Sequence, residues 1–261
     1  MAELKQYLSK KEKIGYGLGD MASNLYFQTF VVFMPIFYTD VFGLAPAAMG
    51  TMMLFSRFWD AANDPLMGMI ADRTDTKWGK FRPYIAGFAI PIGLAGFFAF
   101  NTPNFGASGN LIYAYVTYIL LMMMYTGVNV PYAALMGVIT PNSAERTSVS
   151  QYRFAFAFIG QFIAGAVTLG LVEYFGSGNE AIGWRMVMVL YGIVAAALLF
   201  GTFSLTKERV LPKVSKQNRI KDDLKNLMKN KPWILMGLAT FFQLTFIVMR
   251  GSSTTYYFRY F

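Results

Sequence analysis

The stretch RFWDAANDPLMG, residues 57–68, decides how the rest of this chain is interpreted. It lies in an apolar block near residues 46–70 that is long enough to cross a lipid bilayer as a helix. This block nevertheless contains Arg57, Asp60 and Asp64. Placing an Asp at the centre of a bilayer costs about 2.5 to 3.5 kcal/mol, so such residues face a cavity or a partner and indicate a functional site.

The composition of the whole chain is typical of a membrane protein. Of its 261 residues, 55% are hydrophobic and only 14% are charged, whereas charged residues make up about 25% of an ordinary soluble domain. The absence of Cys and His excludes disulfides, thiol nucleophiles and zinc sites built from these residues. The net charge of +9 is concentrated in short segments between apolar blocks, so we expect a lipid bilayer as partner and no nucleic acid.

Apolar blocks divide the chain into six predicted spans and the start of a seventh, near residues 14–38, 46–70, 84–101, 111–138, 148–175, 185–205 and 233–250. The predicted fold class is therefore an all-α polytopic membrane protein. Its expected domains are a six-helix amino-terminal bundle at 1–206, a basic cytoplasmic linker at 207–231, and an incomplete carboxy-terminal bundle at 232–261 that holds the seventh helix. This layout is typical of the first half of a two-bundle transporter.

The charge of the connections predicts the orientation of the chain. The amino-terminal segment contains four Lys, the 72–83 connection four Lys or Arg, and the 207–231 connection nine. The opposite connections, at 39–46, 102–110 and 176–183, contain none. By the positive-inside rule, we expect a multi-pass protein of the cell (inner or plasma) membrane with a cytoplasmic amino terminus.

Asp60 and Asp64 are four residues apart and share one helix face, with Asn63 beside them and Arg57 three residues before Asp60. Carboxylate and carboxamide oxygens suit Na⁺ or a similar hard cation. Two close acids without a cation repel each other, so one takes up a proton, and the pair fits a sodium site or a proton site. The structural alternative is an Arg57–Asp60 ion pair, with Asp64 helping to satisfy the backbone at Pro65.

Of four other polar residues in the predicted spans, three allow two interpretations each. Asp20, near the cytoplasmic end of the first span, is half of a gating pair with a Lys or Arg, or a ligand. Asn24 lies one turn further along the same face. Asn129, before Pro131, caps carbonyls freed by a kink or binds substrate hydroxyls. Arg153 is either a snorkelling cation at the membrane interface or a ligand. As a ligand, its planar guanidinium would donate hydrogen bonds to sugar hydroxyls or to a carboxylate.

Several motifs together resemble those of the glycoside–pentoside–hexuronide:cation symporters, the melibiose-permease-like branch of the major facilitator superfamily. They are FYTDVFGL (37–44), RFWDAANDPLMG (57–68) running into ADRTDTKWGKFRPY (71–84), and YTGVNVPY (125–132) followed by ERTSVSQYR (145–153). The resemblance covers the first five spans well. It implies a symporter, not an enzyme, that couples uphill sugar uptake to the downhill movement of Na⁺, H⁺ or Li⁺ by alternating access, with no other cofactor.

The resemblance also implies a cation site and a cytoplasmic gate. The cation site falls on Asp60 and Asp64, with Asn63 beside them and Thr126 as the hydroxyl contributor. The basic connection after the second span is expected to hold the cytoplasmic side closed through charge pairs. The expected gating residues are Asp20, Arg57, Asp72, Arg73, Lys80, Arg82 and Arg146.

The sugar-binding residues that the resemblance implies are Asn24, Asn129 and Arg153. The two Asn replace acids of the melibiose type, and Arg153 aligns after the deletion of one residue. The position of an expected stacking aromatic is taken by Ala133. Amides donate and accept hydrogen bonds with hydroxyls, so we expect a sugar site with a specificity other than that for galactosides.

Members of this family normally have twelve spans, whereas this chain stops one helix into the second bundle, at TTYYFRYF. We therefore expect a truncated form that needs a missing carboxy-terminal half or another chain for activity. Two other function classes are open. One is a membrane-embedded, lipid-modifying enzyme that holds Mg²⁺ with paired Asp, and the other is a remnant or sensor that binds sugar without moving it.

Overall fold

The computed structural model describes residues 7–210 and 228–260. Over this part of the chain the fold is all-α, as predicted, and its β contact is an isolated bridge between Thr76 and Gly79. The long helices are α1 (Lys10–Val32), α2 (Pro46–Arg73), α3 (Arg82–Ala99), α4 (Gly106–Ile139), α5 (Ser143–Gly176), α6 (Glu180–Leu205) and α7 (Lys231–Tyr260).

Two helices begin at earlier residues than the apolar blocks predict, because polar side chains cap their amino termini. Asn142 Oδ1 accepts hydrogen bonds from the backbone N–H groups of Ala144 and Glu145, and Asn179 Oδ1 accepts one from that of Ile182. These bonds satisfy N–H groups that have no partner within a helix. As a result α5 and α6 begin at 143 and 180, rather than at 148 and 185.

The regular helix of the first predicted span ends before the predicted limit at residue 38. α1 stops at Val32, and the chain continues through one helical turn, Met34–Ile36, into a π-helical turn, Phe37–Val41. Pro35 has no backbone N–H to donate and favours a break in the helix here. The wide turn closes with a hydrogen bond of 2.8 Å from Phe42 N to Phe37 O.

Within the described residues, α3, α4, α5 and α6 are long and apolar enough to cross a membrane. α1 and α2 do not reach this apolarity. They carry four of the ionisable residues that the sequence marks as functional, Asp20 in α1 and Arg57, Asp60 and Asp64 in α2. The bundle thus combines apolar helices with two more polar ones.

α1 packs along α5 and α6, α3 packs between α4 and α6, and α2 contacts chiefly α4. Tyr16 of α1 and Tyr132 of α4 stack with their ring centroids 4.6 Å apart. Each hydroxyl donates to the other residue's backbone carbonyl, at 3.1 and 2.8 Å. These reciprocal bonds fix α1 against α4 next to the polar side chains of the candidate site.

The chain divides into two compact units, Met1–Pro212 and Lys213–Phe261, and α7 belongs to the second. The predicted domain limits at 206 and 231 stay predictions. Residues 211–227, most of the predicted linker, lie outside the described residues.

Candidate functional site

A cavity of the first unit lies between α1, α2 and α4 and has a volume of about 340 Å³. Its polar lining consists of Arg57, Asp60 and Asp64 from α2, with Thr126 and Asn129 from α4. The rest of its wall is mainly aromatic and aliphatic. This is the arrangement of a small-molecule or ion site, in which a few polar groups converge in an apolar cleft.

Asp64 and Thr126 are joined directly in this cavity. Thr126 Oγ1 donates a hydrogen bond of 2.9 Å to Asp64 Oδ1, across residues that are 62 positions apart in sequence. Asp64 thus uses one oxygen to bind a neighbouring helix, and its role is not limited to satisfying the backbone near Pro65. The hydroxyl oxygen of Thr126 keeps lone pairs for a further ligand.

Asp60 is held less completely. Its Oδ2 lies 3.9 Å from Nη1 of Arg57, whose side chain is 62% exposed, so the ion pair is loose and open to solvent. Its Oδ1 is buried and has no hydrogen-bond partner among the described residues. A buried carboxylate oxygen without a partner is costly, so a cation or a proton bound to it would lower that cost.

Asn63 and Asn129 differ in position. Asn63 is half-buried and is not among the described residues that line the cavity. Asn129 does line it, and its Nδ2 donates a hydrogen bond of 3.3 Å to the carbonyl of Tyr125. Of the two amides, only that of Asn129 faces the same space as Asp60 and Asp64.

Arg153 and Asp20 form a second polar cluster, where α5 meets α1. Nε of Arg153 donates to Oδ2 of Asp20 at 3.0 Å, and the guanidinium lies 5.9 Å from the ring centroid of Tyr132. Asn24 Nδ2 donates to the carbonyl of Asp20 at 2.8 Å. Asp20 therefore has the Arg partner that the gating interpretation requires, and Arg153 is paired within the bundle instead of snorkelling alone.

The three predicted sugar-binding residues are thus divided between two places. Asn129 lines the cavity with Asp60 and Asp64, whereas Asn24 and Arg153 lie at the contact of α1 with α5 and are not among the described residues that line that cavity. A sugar that contacts all three must reach from one cluster to the other.

Among the described residues, the basic connection between α2 and α3 makes backbone contacts rather than charge pairs. Lys80 Nζ donates to the carbonyl of Asp72 at 3.4 Å, and Arg82 Nε donates to the carbonyl of Phe203 at 3.1 Å. Arg73 is exposed and Arg146 is half-buried. Among the described residues, the ion pairs lie elsewhere and involve none of the predicted gating residues of this connection.

Sequence reasoning missed the acidic partners of the connection between α2 and α3. Glu208, just after α6, accepts hydrogen bonds from the backbone N–H groups of Lys80 and Phe81, both at 2.8 Å, and of Arg82 at 3.0 Å. Gly79, with φ of +109°, leaves the space for this carboxylate, because a Cβ there would lie 2.4 Å from it. Glu208 therefore caps α3 from a distant part of the chain.

Arg209 fixes the same segment to α1. It donates from Nη2 to Oε2 of Glu12 at 2.8 Å, and Nη1 bonds the other carboxylate oxygen. This hydrogen bonding raises the pKa of Arg209 above its usual value, so the guanidinium stays charged. Lys13 pairs with Glu145 at 3.0 Å in the same region. The only sequence signal for these contacts was the charge of the KERV segment at 207–210.

An all-α bundle of apolar helices with a carboxylate-lined cavity is typical of multi-pass membrane transporters. The model of the family described as "MFS/sugar transport protein" matches residues 15–261. The chain belongs to this family, whose members are transporters and not enzymes.

Full-length relatives support the same assignment. The inner membrane symporter YicJ of Escherichia coli (strain K12) is 40% identical over 253 residues, which cover 97% of this chain and 55% of YicJ. The uncharacterized symporter YnaJ of Bacillus subtilis (strain 168) is 40% identical over 100% of this chain and 57% of its own length. The isoprimeverose transporter of Lactiplantibacillus pentosus is 37% identical over 98% of this chain and 54% of its own. The chain spans about half the length of these relatives.

Proposed function

We propose that this chain acts in the symport of a sugar with a cation by alternating access, in the inner or plasma membrane. The observation that carries this proposal is the cavity in which Asp60 and Asp64 lie together with Thr126 bonded to Asp64. The family supports a sugar as cargo, and relatives named as symporters support coupling to an ion.

The proposed cation ligands are Asp60, Asp64 and Thr126, with Asn63 completing the set by a rotation of its side chain into the cavity. A cation at this position neutralises two carboxylates that otherwise repel each other, and it satisfies the unpartnered Oδ1 of Asp60. Oxygen ligands of this kind suit Na⁺ or Li⁺, and the same pair takes up H⁺. Cation binding thereby removes the charge that opposes closure of the cavity.

The proposed sugar ligands are Asn24, Asn129 and Arg153. Their amide and guanidinium groups match the mixed donors and acceptors of sugar hydroxyls. The name of one relative suggests a disaccharide such as isoprimeverose as a candidate substrate. Because Asn129 shares a cavity with the carboxylates, a sugar bound there lies next to the cation, which provides a direct route for coupling.

Gating is assigned to the Asp20–Arg153 pair and Arg57 within the bundle, and to Asp72, Arg73, Lys80, Arg82 and Arg146 on the cytoplasmic side. Alternating access in two-bundle transporters requires a second bundle that moves against the first. We therefore include a carboxy-terminal half, in the same or another chain, as the partner of this unit. The amino terminus is proposed to be cytoplasmic.

The test is uptake into vesicles containing the longest natural form of the protein. The sugar panel comprises isoprimeverose, methyl β-D-xyloside and methyl β-D-glucuronide, with Na⁺ and pH varied separately. Asp60→Asn and Asp64→Asn are expected to abolish cation-stimulated uptake, whereas Glu173→Gln, at an exposed position of α5, leaves it unchanged. Undiminished coupling in the first two variants would contradict the cation site, and sugar binding without any uptake would favour a sensor.

A further inference from the structure

α1 and α5 are in register along a shared contact. A Cβ added at Gly17 would meet Phe156 at 2.7 Å, and one added at Gly160 would lie 2.6 Å from the carbonyl oxygen of Met21. From the first pair to the second, the residue number rises by four in both helices, so the two helices run parallel. Because Gly160 lies against Met21, the next residue, Gln161, is placed beside the turn of α1 that follows Met21.

Gln161 uses this position to bind Asn24. Gln161 Nε2 donates a hydrogen bond of 2.7 Å to Asn24 Oδ1. Asn24 Nδ2 in turn donates to the carbonyl of Asp20, whose carboxylate accepts from Arg153. A row of four polar residues therefore crosses the contact between α1 and α5.

The backbone carbonyl of Asp20 determines which end of the Asn24 amide faces it, because a carbonyl oxygen accepts hydrogen bonds and cannot donate them. It orients the Asn24 amide with nitrogen towards Asp20 and oxygen towards Gln161. One N–H of Asn24 and one lone pair of its oxygen then remain without a protein partner among the described residues. Gln161 adds a second bond that favours this orientation, since turning the Asn24 amide would place its oxygen against the carbonyl of Asp20 and its Nδ2 against Nε2 of Gln161.

The charges of the row indicate the kind of ligand that it accepts. Arg153 and Asp20 neutralise each other, and the two amides are uncharged. A hydroxyl, which both donates and accepts, matches the remaining N–H and lone pair of Asn24. A carboxylate, which only accepts, would leave the lone pair unmatched and would find no uncompensated cation in the row.

We propose that Gln161 is a positioning residue of the sugar site, holding the Asn24 amide in the orientation that binds a hydroxyl of an uncharged sugar. This inference rests on the sugar:cation symport proposed above. Gln161 acts through Asn24, so its loss weakens sugar binding and leaves the cation site, which lies at the other polar cluster, unchanged.

The test measures uptake of methyl β-D-xyloside by the longest natural form of the protein. Gln161→Leu is expected to raise the KM for this sugar about tenfold, the effect of losing one hydrogen bond, with kcat and the cation dependence unchanged. Gln161→Glu keeps the size of the side chain but cannot donate to Asn24, and it is expected to raise the KM as well. The matched control is Gln28→Leu, one turn beyond Asn24 on α1, where Gln28 has no side-chain hydrogen bond among the described residues.

A double-mutant cycle separates positioning from packing. If Gln161 acts through Asn24, the Asn24→Ala, Gln161→Leu double variant has the same KM as Asn24→Ala alone. Additive effects, or equal effects of Gln161→Leu and Gln28→Leu, would overturn the inference while the symport function stands. A preference for methyl β-D-glucuronide would overturn the assignment to an uncharged sugar. Absence of wild-type uptake for every sugar of the panel would overturn both proposals.

Discussion

Asp60 and Asp64 lie one turn apart on α2 but have different surroundings. Asp64 accepts a hydrogen bond from a buried threonine of α4, whereas Asp60 faces a loosely held arginine on one side and has an unpartnered buried oxygen on the other. The difference assigns them different tasks. Asp64 links α2 to α4, and Asp60 supplies a buried oxygen that has no hydrogen-bond partner among the described residues.

At this scale Thr126 provides a specific prediction. Thr126→Val keeps the shape of the side chain but removes the donor to Asp64 and one oxygen ligand. Hydrogen bonds to charged groups contribute about 1.5 to 3 kcal/mol, so we expect the cation concentration for half-maximal uptake to rise at least about tenfold. Titration of uptake with Na⁺ and with pH measures this shift.

The control is Thr117→Val on the same helix, because Thr117 Oγ1 donates to the backbone carbonyls of Tyr113 and Ala114 and is not among the described residues that line the cavity. Thr126→Ser is expected to retain the cation dependence of the unaltered protein. Equal shifts in Thr126→Val and Thr117→Val would show that the hydroxyl of Thr126 has no special role.

At the scale of the elements, the polar α1 is the helix around which the first unit is built. It meets α5 through glycines and α4 through the stacked Tyr16 and Tyr132. Small residues let backbones approach closely, which is how helices associate where apolar packing against lipid gives no advantage. The geometry of the Asp20, Asn24, Arg153 and Gln161 row therefore depends on the spacing between α1 and α5.

Gly160→Ala tests this dependence. The new methyl group would lie 2.6 Å from the carbonyl oxygen of Met21, so the helices must separate. Overpacking of this kind costs about 1 to 3 kcal/mol. We expect a lower midpoint of thermal unfolding in detergent, together with weaker sugar uptake.

Gly170→Ala, on the same helix, is the matched control, because a Cβ there meets no atom within 4 Å. Alanine is a better helix former than glycine, so this variant is expected to be at least as stable as the unaltered chain. A fall in stability of the same size in both variants would contradict a close approach at Gly160.

At the scale of the whole molecule, the distribution of Lys and Arg predicts which side of the membrane each connection faces. The chain contains no Cys, so single cysteines are introduced without altering other positions. Asp75→Cys, between α2 and α3, and Asn104→Cys, between α3 and α4, are both at exposed positions. In intact cells a membrane-impermeant maleimide is expected to label the cysteine at 104 and not that at 75.

Inverted vesicles are expected to give the opposite labelling, and the unaltered chain none. Labelling of position 75 from outside the cell would contradict a cytoplasmic amino terminus. Labelling of both positions from one side would contradict the assignment of α3 as a span.

The sequence by itself determined the all-α class, the approximate positions of the helices and the identity of most polar residues within them. These properties are local, since they depend on the length of an apolar block and on which side chains interrupt it. Helix limits were less accurate at residues 32, 106, 143 and 180. Those at 32, 143 and 180 depend on a proline and on polar caps just outside the apolar blocks.

Only the tertiary structure decided which polar residues meet. Arg153 and Asp20 are 133 positions apart, Gln161 and Asn24 are 137 apart, and Glu208 caps a helix that begins 126 positions earlier. Nothing in the local pattern of a helix records its partner in another helix, so the same Arg153 fitted a snorkelling cation or a ligand until the packing of α1 on α5 placed it against Asp20. Helix packing, which is set by glycines and ring stacking across the bundle, converts separate polar residues into a site.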